Sequence, residues 1–157
     1  MFTKSKGIFN LDLIKETIKK HEGLVLFAYE CSEGKTSLGY GRNLDDTGIT
    51  EEEANYLLDN DVDKVINNLD EYWPVWRDLP VQAQAVCIDM TFQMGITGFM
   101  NFRRTRALME MGDFVGASEE CLRSKWAEQT PGRANYNSRQ LYLCQKKPTT
   151  KKTTHKD

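Results

Sequence analysis

Between His21 and Asn43 the stretch HEGLVLFAYECSEGKTSLGYGRN sets a carboxylic acid, a thiol and a hydroxyl around one turn signal. These are Glu22, Cys31 and Ser37, with eight and then five residues between them. A carboxylic acid can hand a proton to a leaving oxygen, and a thiolate or hydroxyl can hold or activate an attacking water. Each also has an ordinary reading on its own. Glu22 can be a solvated glutamate, Cys31 packing at a strand end, and Ser37 a turn hydroxyl. Placement separates the readings. A carboxyl at the C-terminus of a helix meets the negative end of the dipole, which disfavours its charged form and suits general-acid work.

Three elements must position these groups. Asn10 reads as the N-cap of a helix carrying Leu11, Ile14 and Ile18 on one face, ending near Gly23 as its C′ residue. LVLFAY reads as a strand, SEGK as the turn, and TSLGYG as the returning strand of a hairpin. That hairpin places Cys31 and Ser37 nearly opposite each other. Gly39 and Gly41 mark a strand that bends or lets another group approach closely.

Thr50 and Glu53 form a capping box that opens a helix over about residues 51–71, with Ala54, Leu57, Leu58, Val62, Val65, Ile66 and Leu69 at helical spacing. YWPVWRDLP breaks it, and from residue 81 four further helices follow, over VQAQAVCIDMTFQMG, FMNFRRTRALMEMG, DFVGASEECLRSKW and a last stretch after Pro131, punctuated by Gly95, Gly112 and Gly132. The expected fold class is therefore α+β and mostly helical. A small hairpin-containing N-terminal lobe (about 10–50) is joined by a long helix (about 51–71) to a helical lobe (about 72–145). Together they form one two-lobed domain over 1–145, whose cleft is the expected ligand site.

Bulk properties narrow the function. With 39% hydrophobic and 28% charged residues the chain is an ordinary globular protein, and no apolar run is long enough to span a bilayer. Asp12, Lys15 and Glu16 interrupt the N-terminal apolar positions, so no secretory signal is expected and the protein should accumulate in the cytoplasm. Residues 146–157 carry five lysines and one aspartate, which leaves −6 on the rest of a chain whose net charge is −2. This basic tail reads as disordered, either a solvated terminus or a means of lingering on an anionic polymer. An acidic body without a basic stripe gives nucleic-acid binding no support, so no nucleic-acid partner is expected.

Cys31, Cys87, Cys121 and Cys144 show no C-x-x-C pair, and the chain has only two histidines, so neither a metal site, nor a cofactor, nor a disulfide framework is expected. Cys87 and Cys121 fall in helical apolar patterns and read as core.

Taken together, Glu22, Cys31 and Ser37 resemble the catalytic signature of the T-even-type phage lysozymes (glycoside hydrolase family 24): Glu, eight residues, Asp or Cys, five residues, Thr. HEGLVLFAY and GYGRNL resemble that family's helix end and hairpin, MTFQMGITGF (90–99) its cleft-floor helix, and SKWAEQTPGRA (124–134) a segment carrying Trp, Gln-Thr-Pro and Arg. The likeness covers about residues 12–144.

The resemblance implies a muramidase cutting the β-1,4 bond between N-acetylmuramic acid and N-acetylglucosamine in peptidoglycan, with inversion. It implies Glu22 as proton donor, Cys31 in the place of the family's Asp or Cys, and Ser37 in that of the water-positioning threonine. Phe92, Gln93, Thr105 and Arg133 would bind substrate, Arg133 reaching toward the acid. It further implies a monomer that is not membrane-embedded, released from the host cytoplasm to the wall by a separate holin.

The sequence departs from the pattern at Ser37, which lacks threonine's χ1-restricting methyl, at Arg42 in place of a histidine, and in the short segment between Arg42 and Thr50. An ordinary thiol, with pKa near 8.5, is mostly protonated at neutral pH. Either Cys31 works as a thiolate or a carboxylate such as Glu33, which shares its strand parity, covers the role. The family's acceptance of Cys favours the thiolate.

Two rivals stand beside this reading. A cysteine amidase or peptidase needs a histidine partner that neither His21 nor His155 supplies in the usual order. A non-catalytic wall-binding homologue is at odds with the retained Glu22.

Overall fold

The computed structural model describes residues 9–145; the expected disordered tail over 146–157 lies outside them. The chain divides into two compact units, one ending at Asn55 and the other beginning at Tyr56.

The first unit opens with helix α1, Leu11–Glu22. Asn10 Oδ1 accepts from the Leu13 N–H at 3.0 Å, satisfying an orphan donor of the first turn. At the other end Gly23 takes φ 74°, and its N–H closes on the Lys19 carbonyl at 2.9 Å. That left-handed residue stops the helix directly after Glu22.

Strand β1 (Val25–Glu30) pairs antiparallel with β2 (Thr36–Gly39), and β2 with β3 (Arg42–Asn43), in sheet order β1-β2-β3. TSLGYG is thus not strand throughout, because β2 ends at Gly39 and the chain runs on. It turns at Tyr40–Gly41, where Gly41 adopts φ 75°, and returns as β3. Asn43 caps the short helix α2, Leu44–Thr47. Asp45 of α2 accepts the Thr36 N–H at 2.8 Å, tying α2 to the start of β2.

Helix α3, Glu51–Tyr72, begins in the first unit and continues into the second. Its capping box forms as expected: the Glu53 N–H donates to Thr50 Oγ1 at 3.2 Å and the Thr50 N–H to Glu53 Oε2 at 2.8 Å.

The second unit follows with a 3₁₀ turn at Pro74–Asp78 and helices α4 (Val81–Met100), α5 (Arg103–Glu110), α6 (Phe114–Cys121), α7 (Lys125–Gln129) and α8 (Pro131–Leu143). Helical geometry in α4 breaks at Gly95, φ 75°. The stretch DFVGASEECLRSKW is two helices, not one. Ser124 leaves the helical region and its Oγ caps α7 by accepting the Ala127 N–H. Likewise FMNFRRTRALMEMG begins with the end of α4 and breaks at Asn101–Phe102 before α5.

The apolar core of the described residues lies in the second unit, around Leu69, Trp76, Val86, Cys87, Met90, Phe99, Met109, Cys121 and Leu141. Cys87 and Cys121 are fully buried there as expected. Burial pushes their thiols up to about 12 and about 11 respectively. No helix is long and apolar enough to cross a membrane, and no metal-holding cluster occurs, among the described residues.

Candidate active site

Glu22 is the last residue of α1, so the Gly23 turn that ends the helix also fixes where its side chain leaves the backbone. The carboxyl lies against the β2–β3 turn. A Cβ built on Gly41 would stand 2.9 Å from Glu22 Oε2 and 3.5 Å from its Cδ.

Cys31 and Ser37 meet, but not as directly opposed strand residues. Ser37 pairs with Tyr29 on one side and Asn43 on the other, while Cys31 stands beyond the end of β1. Its N–H donates to the Lys35 carbonyl at 2.8 Å and its own carbonyl accepts from Gly34 at 2.9 Å, closing the turn. The two side chains are diagonal neighbours on one face of the hairpin. Backbone N–H groups of Glu33 and Lys35 face the sulfur, and with the Ser37 hydroxyl they hold the thiol below its ordinary range. Partial burial and the Glu33 carboxylate oppose them. Ser37 is buried at 3% exposure, with its hydroxyl in reach of the Cys31 sulfur.

Glu33 does not share a strand face with Cys31 after all. It sits in the turn, because β1 ends at Glu30 and strand parity ends with it. Its contribution to the thiol is a backbone N–H that favours the thiolate and a carboxylate that disfavours it.

Arg42, where the family pattern has histidine, donates to Glu53 Oε2 at 2.7 Å and to the Gly48 carbonyl at 3.2 Å. It therefore ties β3 to the first turn of α3. Backbone donation from Thr50, together with Arg42, holds the Glu53 carboxyl below the usual carboxylate range.

The remaining expected site residues lie in the second unit. Phe92 is 41% exposed on α4. Beside it Gln93 Oε1 accepts the Trp126 indole N–H at 2.8 Å, which commits the amide oxygen inward and leaves the amide N–H₂ as the side chain's available donor. Thr105 is buried to 2% exposure, yet it lines a cavity of about 230 Å³ with Phe102, Arg103, Arg104, Glu120 and Arg123. Arg133 is gripped on its own unit: Nε and Nη2 donate to the two oxygens of Asp89 at 2.9 and 2.6 Å. Asn137 Nδ2 adds a bond to Asp89 at 2.7 Å.

The hold of Asp89 on Arg133 and Asn137 left no local signal in the sequence, because Asp89 lies 44 residues from the first and 48 from the second. Gly41 did carry a signal, the glycine-bracketed strand end, though not the identity of what approaches it.

A hairpin with a thiol and a hydroxyl, a helix-end acid beside it, and a separate helical unit carrying Trp126 and Arg133 together describe a lysozyme-like glycosidase. Comparison with known proteins agrees. Residues 19–139 match the phage lysozyme family, and the chain belongs to it. An endolysin of Acyrthosiphon pisum secondary endosymbiont phage 1 is 35% identical over 117 residues, covering 71% of this chain and 75% of that protein. A probable T4-type lysozyme 1 of Dictyostelium discoideum is 26% identical, over 78% of this chain and 89% of its own. The pre-baseplate central spike protein Gp5 of Enterobacteria phage T4 is 28% identical over 76% of this chain, which spans 26% of that longer protein. Family membership makes this protein a glycoside hydrolase of the lysozyme class, acting on peptidoglycan.

Proposed function

We propose that the protein is an endolysin: a muramidase that hydrolyses β-1,4 bonds between N-acetylmuramic acid and N-acetylglucosamine, with inversion, to lyse a bacterial host. The observation that carries this reading is the Glu22, Cys31, Ser37 set on a helix end and hairpin within a phage lysozyme fold. In the proposed step Glu22 protonates the glycosidic oxygen as the C1–O bond breaks. A water held by Ser37 and Cys31 attacks C1 from the opposite face, its proton passing to the thiolate.

The depressed Cys31 thiol supports the thiolate form. Two residues of β2, about 7 Å of strand, separate Ser37 from the Gly39 end next to the Gly41 turn against which Glu22 lies. Phe92, the donor face of Gln93, the Thr105 cavity and Arg133 are the proposed substrate contacts. A monomer that accumulates in the cytoplasm and reaches the wall through a hole made by a separate holin completes the reading.

The test is turbidity loss of outer-membrane-permeabilised cells, with product analysis and proton NMR of the first-formed sugar anomer. New reducing ends appearing first as the α-anomer are expected. Early β-anomer overturns inversion, and new amines in place of reducing ends overturn the glycosidase reading in favour of an amidase or peptidase.

A further inference from the structure

We propose that Gly41 is a positioning residue for the reaction: its missing side chain lets the β2–β3 turn close against Glu22 and sets where the acid's carboxyl points. The inference rests on Glu22 being the proton donor. A Cβ at Gly41 would lie 2.9 Å from Glu22 Oε2, closer than carbon and oxygen pack, so one of the two must yield. The backbone of Gly41 is held in the sheet between Gly39 of β2 and Arg42 of β3, and Arg42 is in turn fixed by Glu53 and the Gly48 carbonyl. The carboxyl is the free end of a side chain. It is the carboxyl that gives way.

This makes a prediction that fold stability alone does not. Gly41 and Gly39 both adopt positive φ, 75° and 71°, so alanine strains the backbone at both. An added Cβ at Gly39 meets no heavy atom within 4 Å, whereas one at Gly41 meets only the Glu22 carboxyl. The two substitutions share a cost in stability and differ in what they do to the acid. Displacement of a proton donor by a fraction of an ångström acts on the chemical step, because productive geometry is lost while the remaining sugar contacts stay in place.

The experiment compares wild type with Gly41→Ala, Gly39→Ala and Glu22→Gln on purified peptidoglycan, well below each variant's thermal midpoint. Gly41→Ala should lower kcat by roughly ten- to a hundredfold with KM within about twofold of wild type. Gly39→Ala should show a similar drop in thermal midpoint with kcat within about twofold of wild type. Equal loss of kcat in both alanine variants, or wild-type kcat in Gly41→Ala, overturns the positioning role while Glu22→Gln remains inactive. Wild-type kcat in Glu22→Gln overturns the assignment of the acid itself, and the positioning role with it. Should Gly41→Ala fail to fold, Gly41→Asn carries the same Cβ on a residue that tolerates positive φ and is read in the same way.

Discussion

At Cys31 the local backbone favours an anion, which is what the proposed mechanism asks of that position. The N–H groups of Glu33 and Lys35 point at the sulfur, and the Ser37 hydroxyl adds to them, so the thiolate forms at lower pH than in an ordinary cysteine. Alkylation of Cys31 should therefore proceed with a midpoint below that of an unstructured cysteine peptide titrated alongside; a midpoint at or above the peptide's would sink the thiolate account. Cys31→Asp, which restores a carboxylate at that place, should stay active and resist the thiol reagent, while Cys31→Ala should lose most activity. Glu22→Gln keeps the shape of the acid but cannot donate, and should lose about 10²–10⁴ in kcat; activity within tenfold of wild type removes Glu22 from the role. The types and spacing of these three residues were legible in the sequence. Their meeting was legible only approximately: Cys31 sits past the end of β1, and the partner expected nearly opposite it is reached by a diagonal contact.

Elements here are set by caps and glycines more than by propensity, which is why their existence was readable and their breaks were not. Asn10, Gly23 and the Thr50–Glu53 box announce themselves by residue type and short spacing, and each forms as read. Ser124 and Tyr40–Gly41 break elements that look continuous, because a serine or a Tyr-Gly step is a cap or turn only once the surrounding chain is placed. Long-range polar anchors such as Arg133 on Asp89 leave no local signature at all.

The α3 cap carries a prediction. Thr50→Ala should cost about 1 kcal/mol of unfolding free energy, and Glu53→Ala should lower the thermal midpoint further, because Glu53 also accepts from Arg42 of β3. The folded Glu53 pKa is depressed, so its contribution is present above the unfolded value of about 4.3 and is lost as pH falls through the lower folded value. The gap between wild type and Glu53→Ala should thus close only in acid below about pH 4. A gap that persists unchanged there would show that Glu53 acts through something other than its charge.

Across the whole molecule the proposed acid, thiol and hydroxyl fall in one unit and the apolar core in the other. Among the described residues Ser37 is the only buried residue before Asn55, whereas the aromatic and aliphatic core lies beyond Tyr56. The cysteines report on this division. Cys31 is half-buried in the first unit, Cys144 is buried at the edge of the second at 9% exposure, and Cys87 and Cys121 are at 0% inside it. Burial raises the last two to about 12 and about 11, so at pH 8 neither is accessible nor ionised until the core opens. Reaction of a buried thiol then follows the population of the opened state, not the intrinsic rate of the reagent. With a small thiol reagent in native buffer, mass mapping should find Cys31 modified first and Cys144 next. Cys87 and Cys121 should be modified together, at a rate that climbs with denaturant along the unfolding transition of the second unit. Cys87 reacting as fast as Cys31 in native buffer would contradict the packing of α4, and Cys87 and Cys121 opening at different denaturant concentrations would split the helical unit into separately unfolding parts.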